Sequence, residues 1–372
     1  MQKKIRIGVV FGGRSGEHEV SLMSARSVLD VLDPQKYEVI QIGITLDGSW
    51  VAGGDVHTAL KQGETSVLTP VLLLPEPGSC TLYARRQTGV GIKLEALAEL
   101  DVVFPVLHGT YGEDGTLQGL LEMANLPYVG DGVLGSAVGM DKGVFKSVMR
   151  AYRLPVLADR LIARSRIETE IELVLAEAES IAPYPLFVKP ANLGSSVGVT
   201  KCHSRSDLLE GMMEAARYDR RVMVERGVNA REIEISVLGN DNPLASIPGE
   251  IIPHDEFYTY RAKYFDANTG YAIPAELDAS TIAQLQDLAV RAYQACDCAG
   301  MARVDFLLDK DTGEAFISEI NTIPGFTQIS MYPKLWQASG LPYPALIDRL
   351  VDLAFERKAD RDRTEYKYGS AA

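Results

Sequence analysis

Two short apolar runs in the last quarter of the sequence, 301–308 and 315–321, flank the turn-forming sequence DKDTG. Each run has polar residues at alternate positions, and alternate side chains of a β-strand point to the same face. The pattern therefore predicts an antiparallel hairpin with one apolar face and one polar face. The polar face would gather Arg303, Asp305, Glu319 and Asn321.

The register of this hairpin decides which polar groups meet. Pairing of Asp309 with Ala315 would leave a loop of five residues. The same register would place Asp305 opposite Glu319. Facing carboxylates repel unless a cation lies between them, and Mg²⁺ takes oxygen ligands when it also binds substrate phosphates. We predict a magnesium site here, with Arg303 placed to bind a transferred phosphoryl group. The alternative is a solvated, charged hairpin surface.

The bulk properties of the chain narrow its partners. Its 372 residues predict two or three compact units, and a hydrophobic content of 46% is enough for a globular core. The net charge of −13 argues against nucleic acid as a partner, because a phosphate backbone requires basic patches. The four cysteines and five histidines lack zinc-site spacing, and reduced thiols indicate a cytoplasmic protein. No apolar run is long enough for a signal peptide or a membrane span, so we expect no membrane partner.

The first third of the sequence alternates apolar runs with segments of helical periodicity. This alternation predicts a parallel sheet, whose ligands lie outside the carboxyl ends of the strands. Those ends contain Glu17 and His108, although such residues also occur at helix starts and in loops for structural reasons. The glycines there lack the spacing of a dinucleotide-binding fingerprint. We predict strands over 4–13, 37–45 and 100–109, a poorly patterned hairpin-like stretch over 48–90, and helices over 19–33 and 114–126.

The middle third contains candidates for phosphate binding. Lys189 is the single charge of a short apolar strand, 185–190, and a turn rich in glycine and serine follows it. Backbone N–H groups of such a turn can point at a phosphate, and the sequence contains no P-loop motif. A further apolar strand ends at Glu225, and Glu232 begins the next one, which suits an adenine held by backbone groups. A surface position for both glutamates is the alternative.

Several longer strings follow one another along the chain: GGRSGEHEVSL (12–22), LHGTYGEDGTLQGLLE (107–122), GMDK (139–142), KPANLGSSVG (189–198), FYTYRAKY (257–264) and RVDF with SEINTIPGFT (303–327). In these strings the sequence resembles the D-alanine–D-alanine ligases of the ATP-grasp superfamily over nearly its whole length. The resemblance implies an α/β and α+β fold. An N-terminal Rossmann-like (pre-ATP-grasp) domain over 1–132 would precede a two-subdomain ATP-grasp fold. Its small subdomain would span 133–228 and its C-terminal subdomain 229–372, with a lid loop over 254–266 and the metal site.

The same resemblance implies roles for single residues. The ATP-binding set would comprise Lys142, Lys189, Ser195, Ser196, Glu225, Arg226, Val228, Glu232 and Lys263. The ligands of two Mg²⁺ or Mn²⁺ ions would be Asp305, Glu319 and Asn321, with a monovalent cation as a further candidate cofactor. The substrate-binding set would comprise Glu17, His108, Ser330 and Met331, where Met331 replaces the leucine of some members. The catalytic set would comprise Glu17, Ser195, Tyr264, Arg303 and Gly325.

The activity implied by the resemblance is the ATP-dependent joining of two D-alanines through an acyl phosphate. Glu17 would bind the ammonium of the first D-alanine, and Ser330 with Met331 would bind the carboxylate of the second. Arg303 and the backbone N–H of Gly325 would stabilise the oxyanion that forms between them. The resemblance also implies a homodimer built through the N-terminal domain.

Three other functions stay open at the level of the sequence. A D-alanine–D-lactate ligase would keep the ATP and metal sites but, by family resemblance, would lack the tyrosine at 264, so Tyr264 favours a dipeptide product. A nicotinamide oxidoreductase would need a glycine fingerprint over 8–16, which is missing. A non-catalytic ATP-binding module would not need Arg303 beside two carboxylates.

Overall fold

The computed structural model describes residues 3–194, 197–252, 270–327 and 329–366. Three sheets follow one another along this part of the chain. The strands of the first are β1 (Ile5–Gly12), β2 (Tyr37–Ile44), β3 (Trp50–Ala52), β4 (Thr69–Leu73), β5 (Thr81–Thr88), β6 (Gly91–Glu99) and β7 (Val102–Val106).

The first sheet is mixed. Within the described residues its order is β6-β5-β4-β3-β2-β1-β7. Strand β1 is parallel to β2 and to β7, as the alternation of strands and helices predicts. The parallel arrangement is limited to these three strands. Strands β3 to β6, most of which lie in the hairpin-like stretch 48–90, follow one after another from β2, each antiparallel to the strand before it. The connection from β5 to β6 is short, and short connections join antiparallel strands.

Strand β1 is buried on both faces, which explains its nearly continuous apolar sequence. Val9 and Phe11 enter one core with residues of helix α1 (His18–Val31), whereas Val10 enters another core with residues of helix α3 (Thr116–Met123). The helices that accompany this sheet are α1 (His18–Val31), α2 (Val56–Gln62) and α3 (Thr116–Met123). Two further helices, α4 (Val133–Met140) and α5 (Lys142–Ala151), precede the second sheet.

The second sheet is antiparallel, with the order β10-β9-β11-β8. Its strands are β8 (Asp159–Ala163), β9 (Leu186–Pro190), β10 (Thr200–Cys202) and β11 (Arg221–Arg226). Its helices are α6 (Arg164–Thr169), α7 (Ile171–Glu179) and α8 (Arg205–Tyr218). Buried apolar residues of these helices and of the sheet form one core. This unit holds Lys189 and Glu225 on neighbouring strands.

The third sheet follows the path β15-β14-β12-β16-β17, and a short strand, β13, pairs with β12. The strands are β12 (Ala230–Gly239), β13 (Leu244–Ala245), β14 (Gly249–Ile252), β15 (Gly270–Ala272), β16 (Gly300–Asp309) and β17 (Ala315–Asn321). The helices of this part are α9 (Ala279–Ala295), α10 (Met331–Ala338) and α11 (Tyr343–Arg361). The predicted hairpin is formed by β16 and β17, which are antiparallel.

The register of this hairpin is as predicted at its open end and shifted by one residue at its loop end. Asp305 pairs with Glu319, but Leu308 pairs with Ala315, so the predicted pairing of Asp309 with Ala315 is wrong. The shift lies between Asp305 and Phe306, where Ser318 is the extra residue of the opposite strand. Such a bulge changes the face on which the following side chains lie.

Helices from one part of the chain pack against sheets of another. Phe145 and Met149 of α5 enter the core of the third sheet. Leu346 and Leu350 of α11 enter the core of the first sheet, together with Val9 of β1. Apolar contacts therefore join these helices to the first and third sheets. The candidate site is lined by residues from all three parts of the chain. Within the described ranges, no helix is both long and apolar enough to cross a membrane.

Candidate active site

A cavity of about 160 Å³ lies where the three sheets converge. It is bounded by the loops that follow β1 and β7, by the junction of α4 and α5, by residues 193–194 and by the segment from Glu319 to Met331. Most of the described site residues expected from the sequence line it. They are Glu17, His108, Lys142, Arg303, Glu319, Asn321, Gly325, Ser330 and Met331.

Glu17 lies at the start of α1, but its side chain does not cap that helix. Its carboxylate instead lies against two glycines from other parts of the chain. A Cβ on Gly109 would be 2.5 Å from Oε2 of Glu17, and one on Gly194 would be 3.2 Å from it. Gly109 also has a φ of +74°, which disfavours any larger residue. The loop after β7 and the glycine-rich loop therefore both approach this carboxylate closely.

Arg303 lies on β16 between two carboxylates. It donates two parallel hydrogen bonds to Asp305, from Nε to Oδ1 and from Nη2 to Oδ2, each of 2.7 Å. Its Nε also lies 2.9 Å from Oε2 of Glu234. Burial by itself lowers the pKa of Arg303, but the charges of Asp305 and Glu234 raise it well above the ordinary value. The guanidinium is thus held charged and fixed in orientation at the cavity wall.

Glu234 is a site residue that the sequence analysis missed. It lies on β12 directly opposite Asp305 on β16, and it is buried. A sequence signal was available, because Glu234 follows Glu232 at the alternate position that shares its face in a strand. Glu234, Asp305 and Glu319 supply three negative charges around the single guanidinium of Arg303.

The predicted metal ligands come together on the polar face of the hairpin. Asp305 pairs with Glu319, and Nδ2 of Asn321 donates to Oδ2 of Asp305 over 2.9 Å. Among the described residues, no group of three or more His, Cys, Asp or Glu side chains could hold a metal alone. The predicted set contains two carboxylates and one amide, so it fits hard cations whose remaining ligands are phosphate oxygens and water. The excess of carboxylates over the one guanidinium supports that fit.

His108 is part of a hydrogen-bonded chain that includes Ser24, which the sequence analysis missed. Nδ1 of His108 lies 3.1 Å from the carbonyl oxygen of Ile323, and Nε2 lies 2.9 Å from Oγ of Ser24. The N–H of Phe326 donates to the same Oγ over 3.3 Å. Burial lowers the pKa of His108, so the ring is neutral, with Nδ1–H donating and Nε2 accepting. His108 therefore orients the loop after β17.

Glu113 joins the same two loops and was also missed. Its Oε2 accepts from the N–H of Gly109 over 2.6 Å, and its Oε1 accepts from the N–H of Ile323 over 3.3 Å. It lines the cavity. Burial, together with the charge of Glu17, raises the pKa of Glu113 from 4.5 to about 8.

The raised pKa of Glu113 predicts a pH-dependent stability. The folded protein retains a proton on Glu113 that the unfolded chain releases near its ordinary pKa of 4.5. The bound proton therefore contributes to the free energy of unfolding. This contribution is fully present below pH 4.5 and is lost as the pH rises to about 8. Urea denaturation across that range should show a decline for the wild type that is smaller in Glu113→Gln. The amide also perturbs two hydrogen bonds, but that cost does not change with pH. Parallel declines in the two proteins would contradict the assignment.

Lys142 begins helix α5, which precedes the second sheet, and Lys189 lies on strand β9 of that sheet. Nζ of Lys142, at the first position of α5, donates to the carbonyl oxygen of Leu193 over 2.6 Å. This contact ties the helix to the start of the glycine-rich loop. Nζ of Lys189 lies 2.5 Å from Oε2 of Glu225, and a further lysine, Lys146, contacts the other oxygen of Glu225. Lys146 is buried and was not predicted.

The segment predicted to hold adenine follows β11. The N–H of Arg226 donates to the carbonyl oxygen of Ala158, and the N–H of Gly227 donates to that of Pro185. These donors are used within the protein, so an adenine would have to contact other backbone groups near Val228. The Arg226 guanidinium lies 5.4 Å from the ring centre of Phe316. Glu232 lies on β12 two residues before Glu234, and side chains two residues apart lie on the same face of a strand.

The start of α10 forms the part of the cavity that is predicted to bind the second substrate. Ser330 is the N-cap residue of this helix, and its Oγ accepts from the N–H of Thr327 over 3.1 Å. A Cβ on Gly325 would lie 2.8 Å from that Oγ, so a larger residue there would displace the Ser330 hydroxyl. Met331 is buried at the first position of α10. A helix N-terminus with free N–H groups is suited to a carboxylate.

Four of the predicted site residues, Ser195, Ser196, Lys263 and Tyr264, lie outside the described residues, as does the predicted lid loop 254–266. Their roles stay predictions. Most of the other predicted site residues lie in or beside the cavity. The exceptions lie on or next to strands of the second sheet or on β12, and they are Lys189, Glu225, Arg226, Val228 and Glu232.

Comparison with known proteins identifies the family. A model of the D-ala D-ala ligase N-terminus matches residues 6–131, and a model of the D-ala D-ala ligase C-terminus matches residues 148–352. The chain belongs to the D-alanine–D-alanine ligase family. It is 49% identical over 360 residues to the D-alanine–D-alanine ligase of Heliobacterium modesticaldum, covering 97% of each chain. It is 45% identical over 373 residues to that of Natranaerobius thermophilus, covering 99% of this chain and 100% of the relative.

Solved structures of the family have the same fold. The D-alanine–D-alanine ligase of Coxiella burnetii is 37% identical, with a TM-score of 0.81 and coverage of 97% of this chain and 96% of that one. The VanG D-Ala:D-Ser ligase of Enterococcus faecalis is 34% identical, with a TM-score of 0.83 and coverage of 95% and 100%. The mixed α/β architecture with N-terminal and ATP-grasp parts, predicted from the resemblance, is thereby confirmed.

Proposed function

We propose that this protein joins two D-alanines to D-alanyl-D-alanine through a D-alanyl phosphate intermediate. ATP supplies the phosphoryl group, ADP and phosphate are released, and the dipeptide serves peptidoglycan synthesis. The single observation behind this proposal is the cavity that collects Glu17, Lys142, Arg303 and the acidic hairpin in a member of the ligase family.

The first half of the reaction activates a carboxylate. A carboxylate is a poor acyl donor, so the first D-alanine takes the γ-phosphoryl group of ATP. Both reactants are anions, and Lys142, Lys189 and Arg303 lower the repulsion between them. Glu17 binds the ammonium of this D-alanine, which directs its carboxylate toward Arg303 in the same cavity.

Divalent ions complete this charge balance. Asp305, Glu319 and Asn321 would hold two Mg²⁺ or Mn²⁺ ions between the hairpin and the phosphates. When bound, these ions neutralise the phosphate oxygens of ATP. The bidentate contact between Arg303 and Asp305 fixes one of these carboxylates in place. A monovalent cation is a further candidate cofactor.

The second half forms the peptide bond. The N-terminus of α10 binds the carboxylate of the second D-alanine. The neutral amine of this D-alanine attacks the acyl phosphate and displaces phosphate. The tetrahedral oxyanion accepts hydrogen bonds from Arg303 and from the N–H of Gly325. A preorganised donor of this kind contributes about 3–4 kcal/mol to transition-state stabilisation. Acyl phosphates hydrolyse readily, so the predicted lid 254–266 would have to exclude water.

Product analysis tests the proposal directly. Purified protein is incubated with ATP, Mg²⁺ and D-alanine, and the products are identified by mass spectrometry. We expect D-alanyl-D-alanine with one ADP and one phosphate per dipeptide. The omission of D-alanine should abolish phosphate release. ATP hydrolysis without any condensation product would contradict the proposal.

A D-alanine–D-serine ligase is the second candidate, because the VanG D-Ala:D-Ser ligase superposes with a TM-score of 0.83. The same incubation with D-alanine, D-serine and D-lactate in competition separates the candidates. The dipeptide D-alanyl-D-alanine should predominate. A product mixture dominated by D-alanyl-D-serine would replace the proposed acceptor and leave the ligase chemistry intact.

Tyr264 provides a prediction about acceptor choice. By family resemblance its hydroxyl belongs to a network with Ser195 and Glu17 that closes the lid around an amine. Removal of one hydroxyl from such a network costs about 1–3 kcal/mol, because its partners lose a hydrogen bond. Tyr264→Phe should therefore form some D-alanyl-D-lactate, most at low pH, where the competing amine is protonated. A competition assay from about pH 6 to about pH 9 reads both products. A mutant that forms only dipeptide with wild-type efficiency would contradict this role.

We also propose a cytoplasmic homodimer built through the N-terminal domain. ATP is a cytoplasmic metabolite, and the four cysteines are free thiols. Strand β6 is the outer strand of the first sheet and exposes Ile92, Leu94 and Leu97. An exposed apolar edge strand can pair with a second copy. Light scattering should report a dimer, and a folded Leu94→Lys variant should shift toward the monomer and lose the concentration dependence of its melting temperature. A monomeric wild type would contradict this assembly.

A further inference from the structure

Lys146 is a buried cation that the proposed reaction does not use. It lies on α5, one helical turn after Lys142, and its side chain is 0% exposed. Its Nζ contacts Oε1 of Glu225, a side chain that is only 3% exposed. The other oxygen of Glu225 lies 2.5 Å from Nζ of Lys189, which is 15% exposed. Glu225 is thus shared by a deep lysine and by a lysine nearer the surface.

The charges of this group of three can be counted. Two ammonium groups and one carboxylate leave one net positive charge. Without Lys146, the charges of Glu225 and Lys189 would balance each other, and these two side chains together would carry no net charge. A carboxylate shared between two cations also holds each of them less tightly than it would hold one.

Charged side chains from three elements surround Lys146. Lys142 and Arg150 lie on its own helix, Lys189 lies on β9, and Glu319 lies on β17. Burial, followed by Lys189 and Arg150, lowers the pKa of Lys146, whereas Glu319 raises it. Its direct contact with Glu225 favours the charged form. A buried ion pair of this kind is weak evidence of a stabilising role, because apolar replacements of both partners are often neutral or stabilising.

We propose that Lys146 is a positioning residue for the nucleotide: by neutralising Glu225, it leaves the ammonium charge of Lys189 available to the phosphates of ATP. This inference rests on the proposed function, in which Lys189 contacts the phosphates. Lys146 itself touches no substrate. Its effect passes through Glu225, and its loss should change nucleotide affinity more than the binding of D-alanine.

The test is a double-mutant comparison of nucleotide binding. The affinity for the non-hydrolysable analogue AMP-PNP with Mg²⁺ is measured by calorimetry for the wild type, Lys146→Met and Lys146→Met/Glu225→Gln. We expect Lys146→Met to weaken binding roughly tenfold, as for the loss of one unit of charge near a phosphate. The double variant has the same net charge as the wild type at this position, so its affinity should return to within about threefold. The KM for ATP should follow the affinity, and the KM for D-alanine should not change.

Arg150→Met is the matched control, because Arg150 lies on the same helix and pairs with Asp159 instead of Glu225. It should bind the analogue like the wild type. An unchanged affinity in folded Lys146→Met would overturn the inference, and so would a double variant that stays tenfold weaker. If Lys146→Met does not fold, Lys146→Gln takes its place in the same comparison, because it also removes the charge, and the same outcomes apply. A wild type that binds the analogue but forms no dipeptide would contradict the proposed function and leave this comparison valid.

Discussion

An Arg303→Met variant should ligate D-alanine at a rate about a thousandfold lower than the wild type, even at saturating substrates. Its guanidinium is held by two hydrogen bonds to Asp305 and by the charge of Glu234, so it is preorganised for the oxyanion. Loss of one such donor lowers kcat by about 10²- to 10³-fold. The larger loss should fall on kcat, because the hydrogen bond from Arg303 to the oxyanion forms only in the transition state.

The same substitution leaves Glu234 and Asp305 without their common cation. A broken buried ion pair costs about 3–5 kcal/mol, so the melting temperature has to be measured beside the rate. Arg231→Met is the matched control, because Arg231 makes a bidentate contact with Glu250 in the same sheet. The control should lose stability but keep its kcat per folded molecule. An Arg303→Met variant with near-normal kcat would show that the oxyanion is stabilised elsewhere.

Replacement of Glu319 by glutamine should lower ligation at least about a hundredfold, since even groups that only support a metal ligand contribute that much. Glu319 faces Asp305 across the hairpin and lines the cavity. The amide keeps the shape of the side chain but removes one negative charge from the metal set. Excess Mg²⁺ should restore part of the rate. Without metal the variant should melt at the same temperature as the wild type or above it, because like charges repel there.

Glu314→Gln is the control for this substitution, because Glu314 precedes the same strand and is exposed. It should retain the Mg²⁺ dependence of the wild type. The decisive measurement is the initial rate as a function of Mg²⁺ concentration. A Glu319→Gln variant with a wild-type rate and the same Mg²⁺ midpoint would exclude the hairpin as the metal site.

The hairpin shows how far alternation of polar and apolar residues can predict a site. The pairing of Asp305 with Glu319 follows from that alternation, and the structure confirms it. The bulge at Ser318 does not follow, because it depends on which residues the core can accept. Without it Ile317 and Glu319 would share a face. With it Ile317 is buried among Val304 and Phe306, whereas Glu319 faces the cavity.

The site residues that the sequence did not reveal contact partners that are far away along the chain. No local pattern marks these contacts for Ser24, Glu113 and Lys146. For Glu234 the alternation with Glu232 indicates a shared face of the strand, but it does not indicate the contact with Arg303. The sequence did not show that the hairpin-like stretch extends the first sheet, for a related reason. Strands β3 to β6 are short or polar, so their periodicity is weak, and only their successive pairing outward from β2 defines them. The order of the motifs along the sequence was sufficient to predict the family and the general plan of the fold.

The packing of α11 against β1 has a consequence for how the chain is made. A ribosome releases residues 343–361 only after it has completed all three sheets, yet Leu346, Leu350 and Val351 belong to the core of the first. The earliest part of the protein to emerge therefore waits with an uncovered apolar face. Chains interrupted before residue 343 would leave that face in contact with water and with one another. Such fragments should aggregate or be degraded, because a lone amino-terminal domain lacks the helix that closes its interior.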